Sequence, residues 1–198
     1  MRNPLLIGER VYLRPLEKYD AELYAKWTVE ESERFWEERG RFPVSPLRTE
    51  TWMTETYESD PPHDVQLGIC IKEDDRLIGD VGLYGIDYVN RTAETGSYIG
   101  DVGARGLGYG PEAKHLILEY AFEHLQLITL ISTVWEPNWR SAQAVRRQGY
   151  RDTGRYVGRS MRDGKHPNWL VFQLNREDWL AARAAYREHV AGKEVFRA

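Results

Sequence analysis

Ala93-Glu94-Thr95-Gly96-Ser97-Tyr98-Ile99-Gly100-Asp101-Val102, followed by the glycine-rich run Gly103 to Gly110 and then Pro111-Glu112-Ala113, is the stretch on which the fold turns. Its first part reads as a strand. Its last part opens a helix, because Ala113, Leu116, Ile117, Tyr120 and Ala121 fall at i, i+3, i+4, i+7 and i+8. Proline suits the first helical position, where its missing N–H has no partner to lose. The connecting turn, Arg105-Gly106-Leu107-Gly108-Tyr109-Gly110, has the makings of an anion site. Glycines let the backbone approach a ligand, and the helix N-terminus behind them adds roughly half a positive charge. A phosphate or pyrophosphate is the natural occupant. A Walker loop is excluded, since Gly108 is followed by Tyr109-Gly110 and not by Lys-Ser/Thr. A dinucleotide fingerprint counted from Gly106 fails at Pro111. Without its context the same run is an ordinary loop before a helix.

On either side of this stretch the periodicity alternates between two classes. Residues 10–14 alternate polar and apolar like a half-buried strand closed by Pro15. Leu23, Tyr24 and Trp27 form a helical stripe, and a second helical stretch contains Trp52, Met53 and Tyr57. Strands follow over 65–71 and 77–86, joined at Lys72-Glu73-Asp74-Asp75-Arg76. Beyond the glycine turn, 127–135 reads as a buried strand. A short helix is expected from Asn138 to Gln148, with Gly149 as a left-handed cap. A hairpin around Asp163-Gly164 joins strands over 150–161 and 169–174, and 178–189 is a closing helix. Such an order predicts an α+β fold with helices on both faces of the sheet, not a doubly wound parallel sheet.

Composition narrows the function classes. The 198 residues are 41% hydrophobic and 29% charged with a net charge of −4, which suits one domain over 1–198. A chain this long buries roughly 70% of its unfolded surface. No apolar run approaches the ~20 residues of a membrane span, and the first ten residues meet charge too early for a signal peptide. Cys70 is the single cysteine, so no internal disulfide forms. Mild acidity without a Lys/Arg tract argues against nucleic acid as the main partner. A cytoplasmic domain with no membrane partner is the expectation.

With the turn, its strand and its helix in view, the chain resembles the GNAT (GCN5-related N-acetyltransferase) superfamily. Arg105, Gly108 and Gly110 fall on the Arg/Gln-x-x-Gly-x-Gly/Ala positions of its motif A. Asn138-Trp139-Arg140-Ser141, then Gly149-Tyr150, is similar to the Asn-x-x-Ser…Gly-Phe pattern of the ribosomal-protein N-terminal acetyltransferase-like branch. Asp163-Gly164-Lys165 and Asn175-Arg176-Glu177-Asp178-Trp179 also resemble that branch, so the likeness spans nearly the whole chain. One departure is Asn168, where the branch usually carries an acidic residue. The resemblance implies a mixed, mostly antiparallel sheet of six to seven strands, with acetyl-CoA in the splay between the two central ones. Acetyl-CoA is then a co-substrate and no metal is needed; the five histidines show no metal-ligand spacing.

Acetyl transfer to an amine sets four demands, and the resemblance suggests residues for each. The pyrophosphate falls to Arg105, Gly106, Leu107, Gly108, Tyr109 and Gly110. A main-chain N–H around Tyr98, Ile99 and Gly100 would serve the developing oxyanion. Ser141 is the candidate proton donor to the departing thiolate. The tyrosine used there by other members would fall four residues further on, where this chain has Val145. Asn138 suits both a helix N-cap and a contact with the CoA arm. A base for the amine is expected at Glu94, with Asp101, Glu136 or a water as alternatives. Glu30, Glu31, Glu33, Glu37 and Glu38, with Phe35 and Trp36, suit either a solvated helix face or a lip that attracts cationic amines. The acceptor is thus a peptide N-terminus, a polyamine or an aminoglycoside-like amine. The acyl group, acetyl or longer, is left open. A non-catalytic acyl-CoA-binding sensor or interaction module is the competing class, and homodimers, frequent in the superfamily, are an analogy only.

Overall fold

The computed structural model describes residues 1–29, 45–56, 58–161 and 164–195. Two compact units share the chain, one formed by Met1–Ile86 and Gly96–Ile117, the other by Asp87–Thr95 and Leu118–Ala198. Tyr57, Asp163 and the acidic segment 30–38 lie outside the described residues.

In the first unit the elements are β1 (Leu6–Ile7), β2 (Val11–Pro15), α1 (Ala21–Val29), α2 (Pro46–Glu55), β3 (Val65–Ile71) and β4 (Leu77–Asp87). They are joined by the second half of β5 (Thr92–Ile99) and most of α3 (Tyr109–Glu119). The strands run in the order β1-β2-β3-β4-β5, with the first three pairings antiparallel. Tyr12, Leu13, Ile69, Ile78, Leu83 and Ile117 are fully buried. Tyr24 and Trp27 of α1 join Met53 of α2 in an aromatic-rich cluster over Tyr12 and Cys70. Ser45 caps α2, accepting from the Arg48 N–H at 3.3 Å ahead of Pro46.

The second unit contains the first half of β5, then β6 (Thr129–Trp135), α4 (Trp139–Arg147), β7 (Arg151–Tyr156), β8 (Trp169–Asn175) and α5 (Arg176–Val195). Its order is β5-β6-β8-β7, parallel at β5–β6 and antiparallel elsewhere. Leu118, Leu130, Phe172, Leu174 and Trp179 are its largest fully buried side chains among the described residues. Gly149 has φ +96° after α4, as its cap position requires.

The fold is α+β with mostly antiparallel strands, as expected, but it has eight strands among the described residues. The additional one, β1, is two residues long and too short to show a period. Several boundaries also differ, among them the closing helix, which runs from Arg176 to Val195. β5 stops at Ile99, because Val102–Ala104 forms a 3-10 turn whose Gly103 N–H is bound by the Asp101 carboxylate at 2.8 Å. β7 ends at Tyr156, which pairs with Trp169, the first residue of β8. α3 starts at Tyr109, two residues before Pro111, which the first turn tolerates because its N–H groups lack helical partners.

β2 is not the half-exposed strand that its alternation suggests, for Val11 to Arg14 are all buried. Arg14 reaches this position by a two-pronged pair with Asp20, each nitrogen–oxygen distance 2.7 Å, and Asp20 also accepts from the Glu17 N–H at 2.8 Å. Both side chains are 5% exposed. The pair fixes the chain between β2 and α1. Removing one member leaves the other charge buried, which costs roughly 3–5 kcal/mol. Asp20→Ala should therefore lower the urea midpoint steeply, whereas a surface pair such as Arg146–Asp152 should be almost silent when Asp152→Ala is made.

Candidate active site

Two close backbone approaches shape the end of β5. A Cβ at Gly79 of β4 would stand 2.0 Å from the Tyr98 carbonyl oxygen, and one at Gly100 would stand 2.2 Å from the Trp27 ring. Only glycine fits either place. Trp27 also meets the Tyr98 ring edge-on, with centroids 6.3 Å apart. The main chain of Tyr98–Gly100 is thereby wedged between β4 and α1.

The glycine turn then leaves this wedge. Arg105 folds back along it, its Nε donating to the Ile99 carbonyl at 2.8 Å and a terminal nitrogen reaching the Gly100 carbonyl at 3.5 Å. Gly106 and Gly108 have φ +76° and +88°, in the left-handed region where side chains are strained. A Cβ at Gly106 would touch nothing within 4 Å, so the turn presents open backbone to solvent. Gly110 is already in the first turn of α3. The structure thus brings together Tyr98, Ile99, Gly100, Arg105, Gly106, Leu107, Gly108, Tyr109 and Gly110 in one unit. Exposed left-handed backbone at a helix start is a kind of surface that an anion can approach.

Two residues missed in the sequence hold the turn in place. Glu112, 6% exposed, accepts from the main-chain N–H of Arg10 at 2.7 Å and of Val11 at 3.1 Å, and from Arg10 Nε at 3.1 Å. Arg10 also donates to the Leu107 carbonyl at 3.0 Å and lies over the Tyr109 ring, 5.0 Å from its centroid. A contact between positions 10 and 112 leaves no trace in local periodicity.

A cavity of about 890 Å³ lies in the same unit, bounded by α1, α2, β3, β4 and Gly96–Tyr98 of β5. Asp80 is 5% exposed in its wall, accepting from Gln66 Nε2 at 2.6 Å and from the Tyr84 hydroxyl at 3.5 Å. Burial, and then the nearby Asp80 charge, push the Tyr24 phenol well above its ordinary pKa. Here a signal existed: an aspartate inside the apolar run Leu77-Ile78-Gly79-Asp80-Val81 is out of place unless the strand faces something polar.

Glu94, Asn138 and Ser141 belong to the other unit. Asn138 is the N-cap of α4, its side-chain oxygen accepting from the Ser141 N–H at 3.1 Å. Glu94 is exposed and hydrogen-bonded by the Thr133 hydroxyl. The ladder between β5 and β6 covers Thr92–Glu94 against Thr129–Ile131, and both strands continue past it. Of the alternative bases, Glu136 is bound by Asn168 at 2.8 Å. Asp101, in the first unit, is committed to Gly103 and to an ion pair with Arg76.

Residues 10–151 match the model of the acetyltransferase (GNAT) domain. The chain belongs to the GNAT family. It is an acyltransferase of the N-acetyltransferase kind. Among relatives, Bacillus subtilis "Probable N-acetyltransferase YjcK" is 30% identical over 163 residues, 76% of this chain and 85% of that protein. The same organism's "Putative ribosomal N-acetyltransferase YdaF" is 26% identical over 182 residues, 87% and 95% of the two chains. A spermidine N-acetyltransferase SpeG chimera from Vibrio cholerae and hSSAT superposes with a TM-score of 0.77 at 20% identity, covering 87% and 99%. In this GNAT chain Arg105 is anchored on the Ile99 and Gly100 carbonyls, and the Arg10–Glu112 pair sits beside the turn.

Glu112→Ala would leave the buried Val11 N–H without its acceptor, at roughly 1–3 kcal/mol, and the partly buried Arg10 N–H as well. Chemical denaturation should show that loss, and Glu112→Gln, which keeps an acceptor oxygen, should restore much of it. Equal stability of wild type and Glu112→Ala would refute the structural role.

Proposed function

We propose that this GNAT enzyme transfers an acetyl group from acetyl-CoA to a primary amine, either a protein N-terminus or a small cationic amine. The observation that carries this reading is the turn itself, with two left-handed glycines opening the N-terminus of α3 directly after the wedged end of β5. Neighbours named for spermidine and for ribosomal acetylation support an amine acceptor.

Acetyl-CoA supplies an activated thioester; the rest is the work of this chain. The N–H groups of Gly106, Leu107, Gly108 and Tyr109, with Arg105 steadying the loop, hold the pyrophosphate. The main chain of Tyr98–Gly100 donates to the thioester carbonyl oxygen, its position fixed by Gly79 and Trp27. Glu94, directly or through a water, accepts the proton that the amine sheds as its nitrogen bonds to the acetyl carbon. Ser141 passes its hydroxyl proton to the sulfur as the carbon–sulfur bond breaks and takes another from water, Glu94 giving its acquired proton back to water, since a thiolate with a free pKa near ~8.5 leaves more readily when protonated. Asn138 caps α4 with its oxygen and offers its amide N–H groups to the CoA arm. The products are an N-acetyl amine and free CoA.

Two variants test the assignment. Gly108→Asp puts a side chain at φ +88° and a carboxylate about where Arg10 and the phosphates meet, so acetyl-CoA affinity should collapse in a calorimetric titration while the fold survives. Ser141→Ala should keep that affinity and lower kcat by roughly 10²–10⁴ where chemistry is limiting. Unchanged CoA binding by Gly108→Asp refutes the turn assignment. Intact CoA binding by wild type without turnover on any amine would favour the sensor reading.

A further inference from the structure

Arg10, the residue before β2, sets a guanidinium edge against the middle of the glycine turn. A Cβ at Gly108 would stand 3.0 Å from Arg10 Nη2 and 3.8 Å from Nη1, so the guanidinium occupies the place that a side chain there would take. Its orientation is fixed from several directions. The main-chain N–H donates to Glu112 at 2.7 Å, and the main-chain carbonyl accepts from the Lys72 N–H at 2.9 Å. In the side chain, Nε donates to Glu112 and Nη1 to the Leu107 carbonyl. The guanidinium also lies over the Tyr109 ring, 5.0 Å from its centroid. Of the five N–H groups that a guanidinium carries, two are thus committed. The other three, both of those on Nη2 included, have no acceptor among the described residues. The side chain is 44% exposed, so these donors stand open to a ligand.

Charge adds the second argument. Glu112 is buried in the first turn of α3, where its carboxylate suits the helix dipole. The same charge repels an anion that approaches the turn. Arg10 neutralises it at 3.1 Å and keeps donors free. A lysine has one nitrogen and could not span Glu112, Leu107 and an anion at once. A planar fork of N–H groups beside exposed left-handed backbone suits phosphate oxygens, which accept charge-assisted hydrogen bonds in pairs. Because the protein has already ordered this side chain, little rotamer freedom is left to lose on binding.

We infer that Arg10 is a direct ligand of the acetyl-CoA pyrophosphate, so that the donor site takes a residue from the N-terminal part of the chain, far outside the Arg105–Gly110 run. The inference rests on the acetyl-transfer reading. Glu112 is then a positioning residue, which touches no phosphate and acts by holding Arg10.

The test is calorimetric titration of the full chain with CoA and with 3′-dephospho-CoA, each at low and at high salt. Arg10→Gln should raise Kd for both ligands by the same factor, roughly 10- to 100-fold at low salt, the range for a hydrogen bond to a charged group. That factor should shrink as salt rises, because a half-exposed charge contact is screened. A turn merely displaced by the substitution would instead weaken binding by a factor indifferent to salt. Arg10→Lys keeps the charge and should retain part of the affinity. Unchanged Kd in folded Arg10→Gln overturns the inference, as does a loss indifferent to salt. A loss confined to CoA, with 3′-dephospho-CoA bound as by wild type, also overturns it, since Arg10 would then serve the 3′-phosphate. The wild-type chain decides the matter even if neither variant folds. Phenylglyoxal, which attaches to accessible guanidinium groups, should modify Arg10, and saturating CoA should suppress that modification in the mass spectrum of its peptide. Equal modification with and without CoA overturns the inference. Wild type that binds no CoA refutes the acetyl-transfer reading itself, whereas CoA binding that Arg10→Gln leaves intact refutes only the role of Arg10.

Discussion

Much of the first unit depends on two places where a backbone leaves no room for a methyl group. Gly79 lets β4 approach the Tyr98 carbonyl, and Gly100 lets the Trp27 ring lie flat against the chain as it leaves β5. A packed interior resists even small added volumes, so these contacts fix position rather than merely permit it. They set where β5 ends, where the glycine turn departs and which face of Tyr98 borders the cavity. Neither glycine has a left-handed φ, so it is close packing and not a turn that requires them.

Buried charges carry a second layer of positioning. Arg14–Asp20 ties β2 to α1, which brings Tyr24 and Trp27 to the wedge. Glu112 ties the start of α3 to the start of β2. A carboxylate at the N-terminus of the very helix that faces the proposed phosphates competes with them for the dipole, and Arg10 offsets its charge at 3.1 Å. Each of these ions has charged or main-chain partners in good geometry, the condition under which burial is tolerated. Asp80 is buried as well, in a cavity wall, where Gln66 and Tyr84 hydrogen-bond to it.

The family members compared with this chain share a fold at identities of 20–30%. A shared fold does not by itself name the acceptor.

The sequence by itself determined the α+β order, the helix of Ala113–Ala121, the glycine turn and the Asn138 cap. All are local: a period of two or 3.6, a proline in a first helical turn, a capping side chain three residues from its N–H. It also pointed to the family, because Arg105, Gly108 and Gly110 act as a spaced set along the chain. Tertiary structure alone decided the rest. Arg10 meets Glu112 and Leu107 across about a hundred residues, Asp80 meets Gln66 between neighbouring strands, and Gly100 meets Trp27 between a strand end and a helix. Such meetings depend on which elements pack together, and local periodicity says only that a face is apolar, not what it will touch.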